Sequence, residues 1–336
     1  MYEFSSLSSL GILAAASGGC ALILTVAFGF ILLPVLRHFK MGQPIRSEGP
    51  VWHRDKQGTP TMGGICFIAA FFLSTAGYAV FRAVHGGGDR LFPFVLTVLF
   101  ALGNAAIGCI DDSCKLIKKQ NEGLSERQKL LLQFVLAAAY IALLRASEHL
   151  ETSFRLPFTD LRLELSWFAY PVYLLVIVGF VNATNLTDGL DGLASSVCAT
   201  VAAFILLLAL SRRDADSTVL SASLLAGMLG FLVFNRHPAQ MFMGDTGSLF
   251  LGGVIMGCAM MAGELLLFVL AGFVFVADML TSLLQRCYFK LTHGRRLFPI
   301  APIHHSFEKW GFGEYAVMGI FSGASVLFCL LAWLGK

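Results

Sequence analysis

Long apolar runs alternate with short polar connections along almost the whole chain. Ten runs can be read, at 19–36, 62–81, 91–109, 130–144, 167–182, 192–210, 218–234, 247–262, 264–286 and 315–334. A helix needs about 20 residues to cross a hydrocarbon core of about 30 Å, and runs of roughly this length recur. The runs at 130–144 and 247–262 are short and would span by tilting or by extending into flanking residues. None shows the period-two alternation of a barrel strand. The predicted fold is therefore an all-α integral membrane protein of about ten transmembrane helices, a single polytopic domain over residues 1–336. Residues 147–166 alternate apolar and charged positions around Pro157, which predicts a small exposed hairpin.

Composition supports this reading. Hydrophobic residues make up 57% of the chain and charged ones 13%, with mean hydropathy +0.75, far outside the range of a soluble domain. The net charge of +3 says less than its distribution. If the N-terminus is outside, the connections 37–61, 110–129, 183–191, 235–246 and 287–314 face inside, and with the adjoining span ends they hold 16 of the 24 Lys and Arg. The positive-inside rule then predicts both termini outside, with the 147–166 hairpin on the same side. The eight Cys lie mostly within apolar runs and show no C-x-x-C pair, so they read as small core residues rather than disulfides or metal ligands. No basic residue precedes the first run, so no cleaved secretory leader is expected.

The polar connections on the inside face carry the candidate chemistry. Asn182-Ala-Thr-Asn185-Leu-Thr187-Asp188-Gly-Leu-Asp191-Gly192 places Asn185, Asp188 and Asp191 three apart, on one broad face if the segment is helical. A polar connection with an N-capping Asp is the plain alternative. The connection after 109 begins with Asp111-Asp112-Ser-Cys-Lys115 and continues to Lys129. Adjacent carboxylates on a helix point apart, so one could face a metal while the other meets a lysine or substrate, or both could simply be solvated. Asp245, in Phe242-Met-Gly244-Asp245-Thr-Gly247-Ser, suits a metal or phosphate ligand, or an N-cap. The 37–61 connection, with Lys56 and Thr61, is rich in turns that can present N–H groups to an anion. Asp278 lies deep in the ninth run, which implies an interior functional group or a broken helix beside a polar cavity. Pro302-Ile-His304-His305 closes the last inside connection. Carboxylates in this number suit a hard divalent cation such as Mg²⁺, and lysines with glycine-rich turns suit phosphates, which together point to phosphoryl transfer.

These segments resemble the phospho-N-acetylmuramoyl-pentapeptide transferases of the polyprenyl-phosphate N-acetylhexosamine-1-phosphate transferase superfamily. The resemblance is carried by GTPTMGG at 58–64, Asp111-Asp112-Ser-Cys-Lys115, NLTDGLDGLA at 185–194, MGDTGS at 243–248 and PIHHSFE at 302–308. It implies a ten-helix bacterial inner-membrane enzyme, a homodimer with both termini periplasmic and the site on the cytoplasmic face. The implied reaction joins undecaprenyl phosphate to the phospho-MurNAc-pentapeptide of UDP-MurNAc-pentapeptide, giving lipid I and UMP with Mg²⁺. Matched motif by motif, Asp245 is similar to the principal Mg²⁺ ligand, Asp111 and Asp112 to a catalytic pair, and Lys129 to an active-site lysine. Lys115 completes the pattern of that pair and would meet substrate phosphate. Asn185, Asp188, Asp191, His304 and His305 fill cleft positions. Lys56, Thr61, Phe242 and Gln285 match a nucleoside pocket in which the Phe ring stacks on uracil. Ser306 departs from the pattern, since many members have a third His there.

Two other readings are weaker. A sister transferase moving GlcNAc-1-phosphate shares the superfamily, but the PIHH and GTPTMGG stretches favour the muramyl enzyme. A secondary transporter would concentrate polar groups at the midplane of two repeated halves, whereas this chain shows no internal repeat and its clusters lie at one surface. Nothing in the sequence points to nucleic acid.

Overall fold

The computed structural model describes residues 6–39, 58–85, 91–118 and 123–336. Among these residues the chain forms twelve helices: α1 (Leu7–His38), α2 (Gly64–Val84), α3 (Leu91–Lys118), α4 (Glu126–Ala146), α5 (Ala169–Thr187), α6 (Leu193–Arg212), α7 (Ala215–Asn235), α8 (Gly244–Ala262), α9 (Leu265–Ala271), α10 (Phe273–Leu291), α11 (Ile303–Lys309) and α12 (Glu314–Leu334). Nine of them are long and apolar enough to cross a membrane. The pair α9 and α10 meets at 79° and brings the number to ten when counted together as one broken span. The protein is an all-α integral membrane protein, as the ten apolar runs require.

Two boundaries differ most from the sequence reading. Helix α1 starts at Leu7 rather than 19 because Ser6 caps it, its side chain accepting the Ser9 N–H. The small residues that follow dilute the apolar signal yet pack closely, with Gly18 set against the backbone of Ala222 on α7. Helix α3 runs on to Lys118 instead of ending at 109, helped by an Asp111–Lys115 pair one turn apart at 2.6 Å. The acidic pair therefore rides on a rigid helix and not on a loop.

The break in the ninth span falls at Gly272, where the Phe180 ring approaches so closely that a Cβ would lie 2.4 Å from it. Outside the bundle, β1 (Ser153–Arg155) and β2 (Arg162–Glu164) form the expected antiparallel hairpin, with Phe154 opposite Leu163. At that end of the bundle Asp216 accepts from Tyr78 (2.7 Å) and Arg82 (2.9 Å). Glu264 pairs with Arg155 (3.3 Å) and Arg212 (2.6 Å).

Helix α8 is the central post and is buried along almost its whole length. Lipid tails are as apolar as side chains, so helices in a bilayer gain by close backbone approach. Gly257 provides it here, since a Cβ at that position would come within 2.5 Å of Thr97 on α3. Consecutive spans run in opposite directions, so the ends of α3 and α5 and the starts of α4 and α8 gather at one end of the bundle, away from the hairpin.

Candidate active site

Those four helix ends bring acids and lysines together. Lys115 Nζ reaches Asp111 Oδ2 at 2.6 Å, Asp245 Oδ2 at 2.9 Å and Asp112 Oδ1 at 3.6 Å. Lys129 Nζ, from the first turn of α4, donates to the same Asp245 oxygen at 2.8 Å and to Asn185 Oδ1 at 3.1 Å. Asn185 in turn donates to Asp245 Oδ1 and to Ser248 Oγ, both at 2.8 Å. Asp245 is thus fixed from both sides by groups on three other helices.

Asp245 does not cap its own helix, which settles the alternative left open by the sequence. Helix α8 has no capping side chain from its own segment. Asp112 takes that part from α3, accepting from the backbone N–H of Asp245 (3.2 Å) and from the N–H and hydroxyl of Thr246 (2.9 and 2.7 Å). A carboxylate at a helix N-terminus meets both free N–H groups and the positive end of the dipole. The adjacent pair therefore divides its work: Asp112 locks α3 to α8, while Asp111 faces Lys115 and accepts the Leu124 N–H at 2.8 Å. Gly244 makes the contact possible, with φ +72° and a missing Cβ that would lie 2.5 Å from Asp112 and 2.8 Å from Thr61 Oγ1.

The second motif segment lies against this one. Phe242 N–H donates to Pro60 and its carbonyl accepts from Gly63, both at 2.8 Å, so Thr61 and Phe242 stand on neighbouring strands of backbone. Thr61 is buried and its hydroxyl has no partner among the described residues. Gln285 uses its side-chain oxygen to accept from the N–H groups of Leu297 (3.0 Å) and Phe298 (2.9 Å). Lys56 lies outside the described residues.

The segment after Asn185 departs from the helical reading. Helix α5 ends at Thr187, with Asp188 as its C-cap and Gly192 at φ +73°, so Asn185, Asp188 and Asp191 do not continue along one face. Nor does either Asp cap α6. Asp188 is half-buried, and burial, then the negative charges of Asp245, Asp112 and Asp191, pushes its carboxyl well above the usual carboxylate range. Asp191 turns instead to His237 Nδ1 (2.9 Å) and the Ala239 N–H (3.0 Å), and its own N–H donates to Glu314 at 3.1 Å. His305 Nδ1 lies 2.8 Å from Glu308. The Nε2 atoms of His304 and His305 both converge on Gly189, 2.5 and 3.4 Å from where a Cβ would stand. Ser306 faces away, its hydroxyl donating to Ile300 O and accepting the Ile300 N–H, so the departing position braces the 300–302 turn.

Comparison with known proteins then decides the family. Residues 94–263 match the family described as Glycosyl transferase family 4. Residues 56–68 match the Phospho-N-acetylmuramoyl-pentapeptide-transferase signature 1. The chain is 40% identical over 319 residues to the phospho-N-acetylmuramoyl-pentapeptide-transferase of Clostridium acetobutylicum, covering 93% of this chain and 95% of that one. It is 39% identical over 310 residues to the transferase of the same name from Bacillus subtilis, covering 92% and 93%. The chain belongs to the phospho-N-acetylmuramoyl-pentapeptide-transferase family.

A divalent cation fits this transferase site by its donor set. Asp111, Asp112 and Asp245 each offer an oxygen, all within 4.8 Å of one another, and hard oxygen donors are what such a cation takes. A second group, Asp191, His237 and Glu314, is equally close, but its His and carboxylates are already bonded to one another. Two positions escaped the sequence reading as site residues, and a third, Asp278, was singled out there without its partner. Thr246 and Ser248 hold Asp112 and Asn185, and both sit in the MGDTGS stretch that flagged Asp245. Asp278 pairs with His304, a contact between segments 26 residues apart that no local pattern encodes.

Proposed function

We propose that this chain transfers phospho-MurNAc-pentapeptide from UDP-MurNAc-pentapeptide to undecaprenyl phosphate, giving lipid I and UMP. The observation that carries the reading is the Lys115–Asp245–Lys129 cluster, in a chain about 40% identical to named transferases over nearly its whole length. Phosphate, sugar and lipid must meet at a membrane surface, and the cluster lies where helices end.

Asp245, with Asp111 beside it, would hold Mg²⁺, and Asp112 would fix Asp245 by capping its helix. When bound, Mg²⁺ supplies positive charge for the diphosphate. Lys115 and Lys129 would hold phosphate oxygens while Asn185 keeps Asp245 oriented. Thr61 and Phe242, with Lys56 and Gln285, would form the nucleoside pocket, the Phe242 ring stacking on the base. Asp188, Asp191, His304 and His305 would line the rest of the cleft.

The reaction forms a bond from a lipid-phosphate oxygen to the sugar-linked phosphorus and breaks that phosphorus's bond to the bridging oxygen, which leaves with UMP. One phosphoanhydride replaces another, so the protein's task is to bring two anions together and shield them. A phosphate monoester with second pKa near 6 is already largely dianionic at pH 7. A general base is then dispensable, which favours direct attack over a covalent aspartyl-phosphate. The charge split supports a cytoplasmic-face site in a bacterial inner membrane with both termini periplasmic. Pairing into a homodimer rests on the resemblance alone.

The test is purified protein with UDP-MurNAc-pentapeptide, undecaprenyl phosphate and Mg²⁺. UMP should be released, and EDTA should stop it. Release of UDP would indicate a glycosyl transfer instead, and turnover only with UDP-GlcNAc would assign the chain to the sister enzymes.

A further inference from the structure

Asp278 stands in the second turn of α10, just past the break in the ninth span, and is 0% exposed. His304 on α11 is equally buried. Asp278 Oδ2 lies 2.7 Å from His304 Nδ1, and Oδ1 accepts the His304 backbone N–H at 3.4 Å. No lysine or arginine pairs with this carboxylate among the described residues. On the other side of the ring, Nε2 is buried and has no hydrogen-bond partner among the described residues. It packs against Gly189, a residue that is itself exposed, and the ring fills the space where a Cβ of that residue would stand, 2.5 Å from Nε2.

A buried carboxylate is costly unless its charge is balanced, and His304 is what stands beside this one. The pair is neutral overall when it carries two protons. One lies in the Oδ2–Nδ1 hydrogen bond, on either atom; with Oδ1 accepting the His304 backbone N–H, the other is placed on Nε2. A neutral pair therefore presents an N–H donor at Nε2, and a donor buried without an acceptor is unfavourable by itself. The matching ligand is an anionic oxygen.

We propose that Asp278 is a positioning residue that fixes the His304 ring and its protons, so that Nε2–H donates across Gly189 to a phosphate oxygen of a substrate. This rests on the transferase reading above. Either the UDP-sugar diphosphate or the lipid phosphate could supply that oxygen, since the chemistry is shared. His305 stacks against His304 with ring centroids 4.2 Å apart, but its Nδ1 is taken by Glu308, so the two histidines are held by different carboxylates.

The experiment has a kinetic and a spectroscopic arm. Asp278→Asn, His304→Gln and the double variant are compared with the parent for UMP release, with KM measured separately for each substrate. Asp278→Asn should lower kcat/KM roughly 10–100-fold, the range for losing the outer partner of a working histidine. A rise in KM for the UDP-sugar assigns the oxygen to its diphosphate and a rise for undecaprenyl phosphate to the lipid, while a fall in kcat alone assigns it to the phosphoryl group in transit. If Asp278 acts through His304, the double variant loses no more than His304→Gln alone; losses that multiply would overturn the proposal. In parallel, solid-state ¹⁵N spectra of histidine-labelled parent protein should show a proton on Nε2 of the ring whose signals vanish in His304→Gln. A bare Nε2 overturns the proposal even if Asp278→Asn fails to fold. Should the parent release no UMP, the transferase reading falls, while the spectra still decide the state of Nε2.

Discussion

Lys115 contacts all three carboxylates of the candidate metal group, so a divalent cation taken up by those oxygens must compete with its ammonium. Lys115→Met keeps the length of the side chain and removes the competitor. Two unit charges 4 Å apart interact by about 1 kcal/mol in water and about 4 kcal/mol at an effective dielectric constant of 20. Lys115 is 18% exposed, so the site lies between these limits. The cation carries two charges, so even the water value gives about 2 kcal/mol of relieved repulsion, roughly 30-fold in affinity. Titration of detergent-solubilised protein with Mn²⁺, followed by calorimetry or electron spin resonance, should therefore show tighter binding in the variant. Turnover should fall in the same variant, because the phosphate loses a cationic partner. Equal or weaker Mn²⁺ binding would refute the argument, since it would place the cation away from the oxygens that Lys115 occupies.

Asp245→Asn should abolish UMP release in a protein that still folds, because the amide keeps the shape but loses the charge that two lysines share; near-normal turnover would remove Asp245 from the site. Asp188→Asn tests the raised titration of Asp188. An unfolded carboxyl titrates near about 3.9, so the native state favours the proton and parent stability, full below that pH, is lost as pH rises through the higher native value. In cation-free buffer the Asn variant should melt above the parent at pH 7, the two converging near about pH 4; a variant that gains instead on acidification contradicts this. Phe242→Ala should weaken UDP-sugar binding by roughly 1–3 kcal/mol if the ring stacks on the base, measured by equilibrium binding, and unchanged affinity would move the base elsewhere. For topology, an impermeant thiol reagent applied to sealed spheroplasts should label a Cys at 160 and not at 188; the reverse pattern would invert the assigned orientation.

The spans were legible because each must satisfy its backbone internally and hide nothing from lipid, which writes long apolar runs into the sequence. Even the break in the ninth span left a trace, since Asp278 could not lie at that depth against lipid. Helix ends were less legible. The extension of α3 to Lys118 depends on Asp111–Lys115 pairing and on Asp112 finding the start of α8, and both partners are visible only after folding. Glycine-flanked motifs marked segments that the fold brings together but not their wiring. Periodicity put Asn185, Asp188 and Asp191 on one face because it assumed the helix continued; the chain leaves the helix at Asp188, and Asp191 goes to His237 and Glu314.

That wiring explains why one cluster needs both signs of charge. Three carboxylates outnumber the two ammonium groups that bridge them, so the cluster is not by itself a receptor for the dianion and diphosphate of the proposed reaction. Lysines alone in place of the acids would bind phosphate but would hold product as firmly as substrate, and uniform binding does not speed a chemical step. Acids that gather a divalent cation, with lysines that can shift between carboxylate and phosphate, let the positive charge follow the phosphoryl group. In the proposed reaction this exchange would be centred on Asp245, since Lys115 and Lys129 share its Oδ2 while Asn185 holds its Oδ1. The rigid parts, Asp112 on the α8 terminus and Asn185 on Ser248, are those that do not have to move. A site that must shield two anions and release both products is best built in this way, with neutral and backbone contacts fixing the frame and the lysines left exchangeable.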